Sequence, residues 1–183
     1  DVSNLQRAHW HTLIGEASYR LTQIAQSQQH YLAALTLLGQ PIPGSKVGRA
    51  FGIAGALVRQ VGYRLLPGRA MPQATAEERS LLLEAARAAD GLSEVYYNAG
   101  DELASFYYVM ATQNLADKAG PSPELMRSNA NLATTFAIAS IYPLAESYRA
   151  RALAMADAHD DLDAQAAIQV PLSVYSLWIG AWD

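Results

Sequence analysis

Residues 120–158 read GPSPELMRSNANLATTFAIASIYPLAESYRARALAMADA, and this stretch decides the fold. It opens with a stop and a start. Gly120 suits a helix C-terminus, Ser122 an N-cap, Pro123 a first helical position, and Glu124 the partly positive end of a new helix. Beyond it apolar residues recur at spacings of three and four without sustained alternation, which is the helical period. The sixth helix of the chain is read to about Ser140. Pro143 then stands where its missing amide costs little, at the start of a second helix that reaches Ala158. The stretch is a helix hairpin.

The same punctuation extends outward in both directions. Ser3 caps a first helix to about Thr22, and a second runs from Ile24 to Leu38, where Gly39, Pro41 and Pro43 end it. A third follows Pro43-Gly44-Ser45 to Leu66, before Pro67-Gly68. The fourth starts at Thr75, with Glu78 completing a capping box, and runs to Ala99. Gly100-Asp101 turns the chain, and Asp101 caps a fifth helix ending at Gly120. The eighth starts near Asp161 and meets Pro171, so it is either kinked or begins later. The expected class is all-α, with about eight helices.

Composition sets further bounds. In 183 residues, 51% are hydrophobic and 16% charged, enough for a buried core and too apolar for disorder. The absence of cysteine excludes zinc fingers, disulfide frameworks and thiol catalysis. Residues 1–20 combine neither a basic start nor a continuous apolar run, so no targeting signal is read and a cytoplasmic location is expected. Charge is uneven: residues 17–76 carry six bases and no acid, whereas residues 77–183 carry fifteen acids against six bases. Two differently solvated faces explain this, and so does steering of charged partners.

Laid over one another, the helix pairs repeat with a period of about thirty-four residues. The best match is 126–159, with Leu132-Ala133, Phe136, Tyr142, Ala145 and Ala152 at the characteristic positions. A copy at 8–41 has Ile14-Gly15, Ile24, Tyr31 and Ala34, with Ser18 and Ser27 replacing an aromatic and an alanine. A copy at about 86–120 carries Leu92-Ser93, Tyr96 and Gly100, and a truncated one at 166–183 carries Leu172-Ser173, Tyr175, Gly180 and Trp182. This pattern resembles the tetratricopeptide repeat. The resemblance implies a right-handed solenoid of antiparallel helix pairs forming one domain over 1–183, in which small residues let helices approach and aromatics fill the space between pairs. Because the last copy stops after its first helix, the chain is expected to be a piece of a longer protein.

Residues 44–66 interrupt the array with a nearly all-round apolar helix carrying Arg49, Arg59 and Arg64. Its charges argue against a membrane span, and packing on the solenoid or a neighbouring domain is the plain reading. The order Gly39-Gln40-Pro41-Ile42-Pro43, this insert, Ser93-Glu94-Val95-Tyr96-Tyr97 and then Asn114–Glu124 is similar to the helical-repeat region of bacterial multidomain proteins. Those proteins join a class III nucleotidyl cyclase domain and a signalling-type AAA or STAND ATPase to such an array. The resemblance implies a regulatory or protein-binding segment and brings no cyclase or ATPase residues into this chain.

A search for chemistry finds little. Gly44-Ser45-Lys46 has the wrong order for a phosphate loop. His9 and His11 are two apart, on different sides of a helix, so they do not form a metal pair. Asp157, His159, Asp160, Asp161 and Asp163 lack the glycine and glutamate of a calcium loop and read as a solvated turn. No nucleophile elbow occurs, and net acidity disfavours nucleic acid. No enzyme, cofactor or metal is expected.

Under the repeat resemblance, first helices line a concave groove. Its expected residues are His9, Thr12, Glu16, Tyr19 and Arg20, then Arg87, Asp90, Glu94, Tyr97 and Asn98. Arg127 and Thr134 follow in the third copy with Ala130, Ala137 and Ile138, and the last copy offers Ala167, Val170, Val174, Leu177 and Trp178. Chaperone-tail-binding relatives place Lys and Asn where this chain has Thr12/Glu16 and Asp90/Glu94, which disfavours an acidic C-terminal tail. The expected partner is a protein or peptide, or a flanking domain of the same polypeptide. The alternative is a homo-oligomer assembled through Phe51, Leu57, Val58, Val61, Trp178 and Trp182.

Overall fold

Four polar side chains open helices as their spacing requires. Ser3 Oγ accepts from the Gln6 amide at 3.2 Å while Gln6 Oε1 accepts from the Ser3 amide, a reciprocal box. Thr75 and Glu78 make the same pair, at 3.2 and 2.9 Å. Asp101 caps through Ala104 N, and Ser122 through Leu125 N.

The computed structural model describes residues 2–65, 74–158 and 162–180, with side chains for all of these but 61–65, 163 and 164. Among the described residues it contains eight helices and no strand: α1 (Asn4–Arg20), α2 (Ile24–Leu37), α3 (Lys46–Leu65), α4 (Ala76–Asn98), α5 (Glu102–Ala119), α6 (Pro123–Ile138), α7 (Tyr142–Ala158) and α8 (Leu162–Ile179). The all-α class therefore holds. Helix α8 starts at Leu162 and continues through Pro171, so the later start is not what the chain adopts. The acidic turn at 159–161, the Pro67-Gly68 stop, Trp182 and the side chain of Val61 lie outside the described residues.

The chain divides into two compact units, Asp1–Gly120 and Pro121–Asp183. In the first, α1 and α2 form a hairpin, α4 packs on both of them, and α5 folds back on α4. The inserted helix α3 lies along α5. In the second, α6 and α7 form a hairpin, and α8 packs mainly on α6 and also on α7.

Small residues and one aromatic build the first core. Ala8, Ala34, Ala85, Ala88 and Ala89 are buried with Leu35 and Leu92, and the ring of Tyr31 is wedged between Gly15 of α1 and Gly91 of α4. Each fully buried Leu contributes about 1.5–3 kcal/mol. In the second unit Phe136 stacks on Tyr148 with centroids 5.5 Å apart. Tyr175 of α8 donates to Glu146 Oε2 of α7 at 2.8 Å, and Arg149 Nε donates to the same oxygen. These hydrogen bonds hold the Glu146 carboxyl below its ordinary value.

Polar contacts dock α3. Arg49 Nη1 donates to Asp101 Oδ2 at 2.8 Å and its guanidinium lies over the Tyr96 ring. Gln60 Nε2 donates to Asn114 Oδ1 and Asp117 Oδ2, at 2.9 and 2.7 Å. Packing of the insert on neighbouring helices is thus observed. Its outer face leaves Val47, Phe51 and Val58 exposed, with Leu57 half-buried. No helix among the described residues is long and apolar enough to cross a membrane.

Candidate functional site: the face between α1 and α4

Helices α1 and α4 lie side by side because Tyr31 of α2 fills the space between their glycines. A Cβ at Gly15 would come within 2.9 Å of the ring, and one at Gly91 within 2.2 Å. Only hydrogen at both positions lets the helices clasp this ring. Burial pushes the Tyr31 hydroxyl far up, and Glu16, Glu94 and Asp90 push it further, so three carboxylates converge on one buried phenol. Glu94 likewise raises Tyr19, after burial. The centre of this face carries negative potential.

One end is closed by a direct bond. Asn98 Nδ2 donates to the Tyr19 hydroxyl at 2.6 Å and to the Glu94 carbonyl at 2.9 Å. Tyr97 beside it is 69% exposed, a large ring held in water. Arg20 pairs with Glu16 one helical turn earlier.

The other end is a cleft of about 460 Å³ lined by Leu5, Gln6, His9, Trp10, Ser80, Leu83, Glu84 and Arg87. Glu84 is its buried centre, with a side chain only 4% exposed. Its Oε2 meets His9 Nδ1 at 3.1 Å and Arg87 Nη1 at 3.4 Å, whereas Oε1 is buried with no hydrogen-bond partner. A buried carboxylate oxygen left unmatched costs free energy that a donor would recover. Trp10, half exposed, stands at the same cleft and offers a ring face to a cation. Ser80, His9 and Glu84 are the residue types of a nucleophilic triad, but Ser80 Oγ donates to the Ala76 carbonyl.

Of the expected groove residues, the structure brings His9, Glu16, Tyr19 and Arg20 onto the same face as Arg87, Glu94, Tyr97 and Asn98. Thr12 and Asp90 are buried, Thr12 with its hydroxyl on the Ala8 carbonyl. In the second unit Arg127 is half-buried, Ala130 and Ala137 are buried, and Ile138 is exposed. Thr134 donates to the Pro171 carbonyl of α8 at 2.6 Å. Val170, Leu177 and Trp178 are exposed, and Ala167 and Val174 lie on the same helix.

Sequence reasoning missed Glu84 and Trp10. It also missed the second histidine contact, where His11 Nδ1 and His30 Nδ1 are 2.9 Å apart between α1 and α2. Burial first, then His11, holds the His30 imidazole below its ordinary value. No cluster of three or more metal-ligating side chains occurs among the described residues. No protein-family model, curated protein or solved structure matches the chain.

Proposed function

We propose that this chain is a non-catalytic protein-interaction module of tetratricopeptide-like helical-repeat type. Its α1–α4 face takes a peptide or neighbouring-domain segment carrying basic and apolar side chains. The observation that carries the reading is the cleft end of that face, where Glu84, a buried carboxylate with one oxygen unmatched, and the exposed Trp10 line the same cleft. A lysine or arginine side chain in this cleft gains from the buried negative charge of Glu84 and from a cation–π contact with Trp10. The carboxylates Glu16, Asp90 and Glu94 bias the rest of the face toward the same partner charge. In this reading the module belongs to a signalling protein with cyclase-like or ATPase-like domains, as the sequence resemblance implies. If Tyr19→Ala with Tyr97→Ala keeps the helical circular-dichroism spectrum and the melting temperature yet leaves partner affinity unchanged, the reading fails.

A second reading is self-assembly, favoured by the exposed row of Val47, Phe51 and Val58 on α3. Light scattering across a hundredfold range of concentration separates the two. A mass that grows with concentration and reverts in Phe51→Ser supports assembly, and a constant monomer mass removes it.

A further inference from the structure

Beneath α3 lies a cavity of about 550 Å³, walled by α2, α4, α5 and the connection that enters α3. Its origin is legible in the residues. Gly48 and Gly52 of α3 line it, Gly52 admitting the Tyr107 ring that a Cβ would meet at 2.5 Å, and Pro41 and Pro43 stiffen the connection that forms one wall. Tyr107 donates to the Pro41 carbonyl at 3.3 Å, pinning that connection over α5. The interior is apolar, built from Leu35, Ile42, Ala56, Leu82, Tyr108 and Leu115. Pockets of about 300–1,000 Å³ with an apolar lining and a few polar groups are the usual form of small-molecule sites.

The polar groups have a sign. The charged side chains lining the cavity are Arg59 and Lys118, both exposed, and no carboxylate lines it among the described residues. Glu78 reaches Lys118 only as a minor electrostatic neighbour. Asn114 also lines the cavity. Its Oδ1 is engaged by Gln60, and its Nδ2 is buried without a hydrogen-bond partner. Gln60 Nε2 donates at the same time to Asp117, which fixes the amide assignment and leaves Asn114 Nδ2 inside the wall rather than at the cavity surface. Two cations at an apolar chamber describe a receptor for an apolar body with an anionic oxygen head.

We propose that this cavity binds a small amphipathic carboxylate, with its hydrocarbon among Leu35, Leu82 and Leu115 and its carboxylate at Arg59 and Lys118. The inference does not rest on the peptide-binding reading, since the two sites share α4 but no lining residue.

The test is calorimetric titration of the chain with dodecanoate below its micellar concentration. Dodecanol and dodecyltrimethylammonium, which share its hydrocarbon, are run in parallel. Saturable binding of one dodecanoate per chain is expected, with dodecanol about tenfold weaker or worse, because it lacks the charge. Arg59→Gln with Lys118→Gln, both at exposed positions, is expected to weaken dodecanoate by about tenfold while leaving dodecanol unchanged. Ala111→Phe, which fills the chamber, is expected to abolish both. Absence of saturable dodecanoate binding, equal binding of the cationic amphiphile, or indifference to the double charge removal would each overturn the proposal.

Discussion

A Cβ placed on Gly91 would stand 2.2 Å from Cζ of Tyr31, so α4 meets the α1–α2 hairpin through a ring that tolerates no side chain opposite it. Gly91→Ala is therefore expected to destabilise the fold by about 1–3 kcal/mol, the usual cost of overpacking. Urea denaturation measures it. In a Tyr31→Leu background the conflict is relieved, and the same substitution is expected to cost much less. Equal costs in the two backgrounds would contradict the packing described.

Two turns hold ordinary residues in left-handed backbone: Thr22 at φ 60° between α1 and α2, and Ser140 at φ 59° between α6 and α7. Gly39, Gly100 and Gly120 occupy comparable helix ends with positive φ, as glycines should. Ser140→Gly and Thr22→Gly are each expected to stabilise the protein by up to about 1 kcal/mol, since the left-handed region strains a Cβ. A loss of stability at either position would show that the local hydroxyl contributes more than the strain costs.

What was legible in the sequence was mostly local. Helix starts at Ser3, Thr75, Asp101 and Ser122, and stops at Gly39, Gly100 and Gly120, depend on bonds within four residues, and the spacing alone announces them. The passage of α8 through Pro171 was not decided, because it depends on packing against α6, where Thr134 of that helix donates to the Pro171 carbonyl. The candidate site divides in the same way. The stripes His9–Glu16–Arg20 and Arg87–Glu94–Asn98 follow helical period. The Glu84–His9 contact joins residues 75 apart, and the His11–His30 contact joins two helices, so neither leaves a trace in spacing. Burial of Thr12 and Asp90 likewise follows from how closely α4 approaches α1, which Gly15 and Gly91 determine.

The histidine pair gives a pH dependence with a definite sign. His30 is held below its ordinary imidazole value by burial and by His11, so the folded state favours the neutral ring. The unfolded chain takes up that proton from about pH 6.5 downward, and it binds more protons than the folded state until the lowered value is reached. Stability from this source is complete above about pH 6.5 and is lost as pH falls from there through the lowered value. Chemical denaturation at about pH 7.5 and about pH 5.5 is expected to show a larger decrease for the native chain than for His30→Gln. Matching decreases would mean that neither burial nor His11 depresses the His30 imidazole.

The central claim is that the α1–α4 face selects a basic, apolar segment, and peptide display on the immobilised chain tests it most directly. The account predicts enriched sequences that combine Lys or Arg with large apolar residues. Their binding should fall by about tenfold or more in Trp10→Ala and Tyr97→Ala, both at exposed positions, with the helical signal intact. Enrichment of acidic sequences, or binding that ignores both substitutions, would contradict it.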